Sequence, residues 1–130
     1  MNNSEIWLSI PITQASHEQV YANLIVENYN GLNIYIDIND AGPRCLLFSS
    51  FEAYSVFSVD AKNLYLEKNH GLPTGILFEV ENSKYLKWLS TESLSLSCHF
   101  NLKHFVLIAS NALIEVVTSK NYKIRYQQDE

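Results

Sequence analysis

QVYANLIVENYNGLNIYIDIND, residues 19–40, decides the fold. In its second half Leu32, Ile34, Ile36 and Ile38 alternate with Asn33, Tyr35, Asp37 and Asn39. Successive side chains of a strand point to opposite faces, so this period of two describes a sheet buried on one side. The first half is strand-like too, and NYNG at 28–31 separates the two. Asn30 and Gly31 both tolerate positive φ, the strongest short hairpin signal in the chain. Residues 19–27 are therefore expected to pair antiparallel with 32–39.

Working outward, the same strand character recurs. IWLSIPI at 6–12 alternates Ile6, Leu8, Ile10 and Ile12 with Trp7, Ser9 and Pro11. Pro11 has no N–H to give a ladder, which favours an edge position. After a turn at NDAGP (39–43), RCLLFSSFEAYSVFSVD runs long, with Ser49-Ser50 placed for a bulge or bend. NLYLEKN (63–69) and ILFEVE (76–81) read as strands around a loop, HGLPTG. HFVLIASNALIEVVTS reads as a hairpin turning at Ser110-Asn111, and KNYKIRYQQDE as an edge or frayed tail.

One stretch breaks the pattern. VENSKYLKWLSTES, residues 80–93, groups Tyr85, Leu86, Trp88 and Leu89 on a wide apolar stripe, with Lys84 and Lys87 towards the other side. Asn82 or Ser83 can cap its first turn. A helix this short is not stable alone, so it must pack against the sheet. The fold expected is α+β: a mainly antiparallel sheet of about seven or eight strands with one helix near 83–91 covering a face. A sandwich or partly closed barrel is the alternative architecture.

Length and composition bound the rest. A chain of 130 residues suits one domain with its own core, and 47% hydrophobic with 18% charged residues excludes gross disorder. Cys45 and Cys98 have no C-x-x-C spacing and are expected as free thiols in a reducing compartment. The N-terminal stretch has no basic region, and no segment nears the apolar length of a membrane span, so a cytoplasmic location is expected and no membrane partner. Net charge is −5, unevenly spread: residues 1–61 hold seven acidic residues against Arg44 alone. Such a surface argues against nucleic-acid binding, which needs clustered Lys and Arg, and suits a basic partner.

No catalytic signature is present. The chain has no G-x-S-x-G, Walker loop, G-x-G-x-x-G or H-E-x-x-H. GLPTG at 71–75 lacks the lysine of a phosphate loop. His99 and His104 are five apart, an odd spacing that puts them on opposite faces of a strand. Cys98 with His104 could form a nucleophile pair only with a third group to orient the base. Asp37, Asn39 and Asp40 lack the oxygen spacing of a calcium loop. No cofactor and no metal is expected, and the chain does not read as an enzyme.

A set of short motifs does stand out: Phe51-Glu52-Ala53-Tyr54, Val80-Glu81-Asn82-Ser83 with Tyr85 and Trp88, Glu92-Ser93, His104-Phe105, and Ile114-Glu115-Val116-Val117. Over residues 45–118 their order resembles a family of small bacterial immunity proteins associated with polymorphic and contact-dependent growth-inhibition toxins. Members carry Tyr-Arg and His-Tyr where this chain has Tyr54-Ser55 and His104-Phe105, so no shared arginine or tyrosine hydroxyl carries over. The resemblance implies a protein that binds a cognate toxin domain and blocks it, with no catalytic residues.

An acidic one-domain binder could seal the cationic cleft of a nuclease toxin with carboxylates. The candidate contacts are Asp37, Asp40, Glu52 and Asp60, with Tyr35 and Tyr54 as aromatic anchors. The competing reading is a small-molecule-binding or sensory β-domain, which would show an aromatic-lined cavity of ligand size.

Overall fold

The computed structural model describes residues 5–11, 20–29, 31–38, 42–63, 76–92, 102–119 and 122–126. Nine antiparallel strands are described: β1 (Ile6–Ile10), β2 (Val20–Asn28), β3 (Gly31–Ile38), β4 (Gly42–Phe48), β5 (Ala53–Phe57), β6 (Leu77–Glu81), β7 (Lys103–Ile108), β8 (Leu113–Thr118) and β9 (Tyr122–Tyr126). A short helical stretch, α1, covers 59–63, and helix α2 spans Lys84–Glu92. The mainly antiparallel α+β expectation holds, with the strands divided between two sheets. One has the order β1-β6-β7-β8-β5 and the other β2-β3-β4-β9.

The two sheets face each other across one core. Leu32, Ile34, Ile36 and Ile38 of β3 and Leu46 and Phe48 of β4 meet Leu77, Phe105, Leu107, Ile114 and Val116 of the five-stranded sheet. The rings of Phe48 and Phe105 lie 5.6 Å apart, one from each sheet. Each large side chain fully buried here contributes about 1.5–3 kcal/mol relative to exposure. The period-2 pattern of β3 is thus the inner wall of a sandwich.

The β2–β3 hairpin closes with Asn28 opposite Gly31, as the sequence signal at 28–31 leads one to expect. Gly31 has φ of +115°, and a Cβ there would lie 2.0 Å from the carbonyl oxygen of Phe48. Only glycine fits that approach. The long run 44–60 breaks at Ser49-Ser50 because the chain leaves one sheet there and enters the other at β5. Of the strand expected at 63–69, only Asn63 lies within the described residues, and it is helical. The C-terminal tail forms β9, paired to β4.

Helix α2 covers the outer face of the five-stranded sheet, as its apolar stripe requires. The tie runs to β7, whose outward residues His104, Val106 and Ile108 alternate with inward Phe105 and Leu107. Tyr85 meets His104 edge to face, with centroids 5.4 Å apart. A second, smaller apolar cluster of Val80, Val106 and Leu113, with Trp7, Phe57 and Ile108 against it, fills the rest of that face. No helix among the described residues is long and apolar enough to cross a membrane.

Candidate partner-binding face and the buried relay behind the helix

The inner pattern of β3 leaves Asn33, Tyr35 and Asp37 on the outer face of the four-stranded sheet. β2 adds to that face in a way strict alternation does not foresee. Tyr21 lies directly opposite Asp37 and Leu24 directly opposite Tyr35, although Tyr21 and Leu24 are three residues apart. A bulge between Ala22 and Leu24 absorbs the odd step. It also turns both Ala22 and Ile25 inward, where they pack on the main core.

Tyr21 and Leu24 are 45% and 57% exposed, and Asp37, opposite Tyr21, is exposed as well. Tyr29, in the hairpin loop, is 97% exposed. Towards the middle of the sheet the face closes: Asn33 and Cys45 are buried, and the Cys45 thiol lies 3.9 Å from Asn33 Oδ1. Cys45 is a free thiol, as expected; Cys98 lies outside the described residues. Residues 20–38 contain Glu27 and Asp37 and no lysine or arginine, whereas exposed Lys123 stands on the same face at β9. Of the two carboxylates only Asp37 shares this face, since Glu27 lies opposite the core residue Leu32.

Of the six residues singled out by charge and aromaticity, the five described do not form one patch. Tyr35 is half-buried and Asp37 exposed, side by side on β3. Glu52 is exposed just before β5, on the other sheet, and its N–H donates to the Val117 carbonyl. Tyr54 pairs with Val116 and packs against the main core with Phe51, its ring 5.5 Å away, so its ring is committed to the interior side. Asp60 is exposed on α1. Asp40 lies outside the described residues.

Behind α2, three side chains from three elements line up in the interior. Ser83 Oγ is 2.8 Å from His104 Nδ1, and His104 Nε2 is 3.0 Å from Glu115 Oε1. All three residues are buried. Ser83 is the N-cap of α2, its hydroxyl oxygen accepting the N–H of Leu86 at 3.1 Å. With Nε2–H donating to Glu115, Nδ1 accepts the Ser83 hydroxyl proton, and both ring nitrogens of His104 are satisfied. Glu5 completes the cap: Oε2 accepts the Lys84 N–H at 2.7 Å and Oε1 the Trp7 indole N–H at 3.2 Å.

Serine, histidine and carboxylate are the parts of a nucleophilic relay, but a nucleophile must be open to its substrate. Here the serine oxygen is buried and engaged by a helix N–H, so the arrangement acts as a pin between helix and sheet. Among the described residues, no three His, Cys, Asp or Glu side chains group as metal ligands.

No protein-family profile, curated protein or solved structure matches this chain.

Sequence reading missed Tyr21 and Leu24 because a spacing of three hides a shared face until the bulge is known. It missed the relay because Ser83, His104 and Glu115 converge only through pairing of distant strands. The available signal was that all three stand within the short motifs quoted above.

Proposed function

We propose that this protein is a cytoplasmic immunity protein that binds a cognate bacterial toxin domain and occludes its cationic active cleft. The observation that carries the reading is the margin of the sheet at β2–β3. It exposes Tyr21 and Leu24 on the face that carries Asp37, and Tyr29 in the hairpin loop, with no basic residue between 20 and 38. Large aromatic and aliphatic side chains standing in solvent next to a carboxylate suit an interface whose partner is basic. Long-range attraction would speed encounter, and the apolar side chains would hold the complex.

The test is calorimetric titration against the C-terminal domain encoded by the reading frame immediately upstream, at low and high salt. Tight binding that weakens with salt supports both the function and the electrostatic mechanism. Tight binding insensitive to salt removes the mechanism, and no binding at either salt overturns the pairing with that domain.

A further inference from the structure

The open margin of the four-stranded sheet is set by a residue on the other sheet. Asn111, in the β7–β8 turn, lies 89 positions from Ala22 in sequence, yet its carboxamide bonds Ala22 twice. The Ala22 N–H donates to Asn111 Oδ1 at 2.9 Å, and Asn111 Nδ2 donates to the Ala22 carbonyl at 2.9 Å. One residue earlier, Ser110 N–H donates to the Val20 carbonyl at 2.6 Å. The amide of Asn111 thus reproduces, on the side of β2 away from β3, the donor–acceptor pair a neighbouring strand would supply.

This clamp sits where the register shifts. β2 is an edge strand, so the Ala22 groups that point away from β3 have no ladder partner, and Asn111 supplies one beside the bulge. Ala22 is the last residue in register before the extra residue, Asn23. Holding Ala22 holds the bulge, and the bulge alone puts Tyr21 and Leu24 on one face. Without it, a shift by one residue would send Leu24 inward.

We infer that Asn111 is the positioning residue of an arginine-binding face made by Tyr21, Leu24, Tyr35 and Asp37, an assignment that deepens the immunity reading and rests on it for its biological partner. The chemistry follows from the pairing. Tyr21 and Asp37 are directly opposed, so an exposed ring and an exposed carboxylate stand side by side. A guanidinium takes both at once, its flat face on the ring and its fork on the carboxylate, which an ammonium cannot do. Among the described residues no lysine or arginine of this chain pairs with Asp37. The occupant is an arginine presented by a protein surface, with Leu24 and Tyr35 receiving its apolar surroundings.

The experiment follows backbone amide signals by NMR while the capped peptide Gly-Arg-Gly, then Gly-Lys-Gly, is titrated into the whole protein. Shifts should concentrate at Tyr21, Leu24, Tyr35 and Asp37 and be stronger for arginine. Asp37→Asn should weaken them about fivefold, the scale of an exposed ion pair. Asn111→Ala should unprotect the Ala22 amide against hydrogen exchange and abolish the shifts; Asn111→Asp, which keeps an acceptor for the Ala22 N–H, should restore part of both. Melting curves identify any variant that fails to fold, and Asp37→Asn, on an exposed side chain, keeps the test alive. Shifts elsewhere, or unchanged shifts in Asp37→Asn, overturn the site. Ala22 protection unchanged in Asn111→Ala overturns the clamp. Arginine shifts at the four residues, with no binding of the upstream toxin domain, overturn the function reading and leave this site standing.

Discussion

His104 Nε2 lies 3.0 Å from Glu115 Oε1 in the interior of the protein, across two neighbouring strands and under a helix. The ring's other nitrogen reaches the residue that caps that helix. One imidazole therefore couples the start of α2 to the centre of the five-stranded sheet. A buried donor left without its acceptor costs more than the bond itself is worth. Glu115→Ala should lower stability by about 2–3 kcal/mol, and Glu115→Gln, which keeps an acceptor oxygen, by less. The paired replacement His104→Phe with Glu115→Leu should recover part of the loss, because it removes the buried ring donor together with its acceptor. Denaturant melts of the four proteins decide it, and a Gln variant as damaged as Ala would remove the hydrogen-bond account.

The start of α2 rests on two caps, one local and one from just before β1. Ser83 serves Leu86 locally, and Glu5, which precedes β1, serves Lys84. Ser83→Ala should cost about 1–2 kcal/mol as a lost N-cap, with a further increment for the His104 contact. Glu5→Gln should cost about 0.3–1 kcal/mol, because a charge is removed from the helix N-terminus. Amide exchange within α2 should quicken in both variants, while the core amides of β3 stay protected.

How far the sequence led differs from element to element, for physical reasons. The inner face of β3 was legible because four apolar residues at period two encode burial directly. The β7–β8 hairpin was legible from its turn, and α2 from its stripe, with Ser83 among the two caps considered. The division into two sheets was not legible, since it depends on which strands pair, and pairing is non-local. Asn33 falls on the outer face by alternation but is buried there, its amide donating to the Val26 carbonyl and accepting from the Cys45 thiol. Tyr54 was read as an anchor for a partner, yet its strand register turns it towards the core. Asn111 was visible only as a turn residue, and its bonds to Ala22 exist only once the two sheets are assembled.

Gly31 carries a constraint that no other side chain can meet. A Cβ would stand 2.0 Å from the Phe48 carbonyl oxygen and within 3 Å of Ser49 backbone atoms. The obstacles are backbone, so relief requires moving β4 away from β3. Its φ of +115° adds strain for any L-residue. Gly31→Ala should therefore destabilise by more than about 3 kcal/mol, at the severe end of single substitutions. A thermal melt within a few degrees of the parent protein would contradict the close approach.

Phe48 and Phe105 join the sheets, and their loss should show that the sheets fold as one unit. Phe105 is buried, touches Phe48 at 5.6 Å and meets the Tyr122 ring at the same distance, so it contacts both β4 and β9 from β7. Neither sheet can keep its inner face dry alone, since the apolar residues of each are covered by those of the other. Phe105→Ala should cost about 3–5 kcal/mol, and Phe105→Leu considerably less because most of the volume remains. The cooperative test uses two probes. Amide signals of β3 report one sheet and Trp7, packed on Phe78 at 5.5 Å, reports the other. In urea both should unfold at one midpoint in the parent protein and at one lower midpoint in Phe105→Ala. Separate midpoints would mean that each sheet finds its own stability, and the shared core would then be two cores in contact.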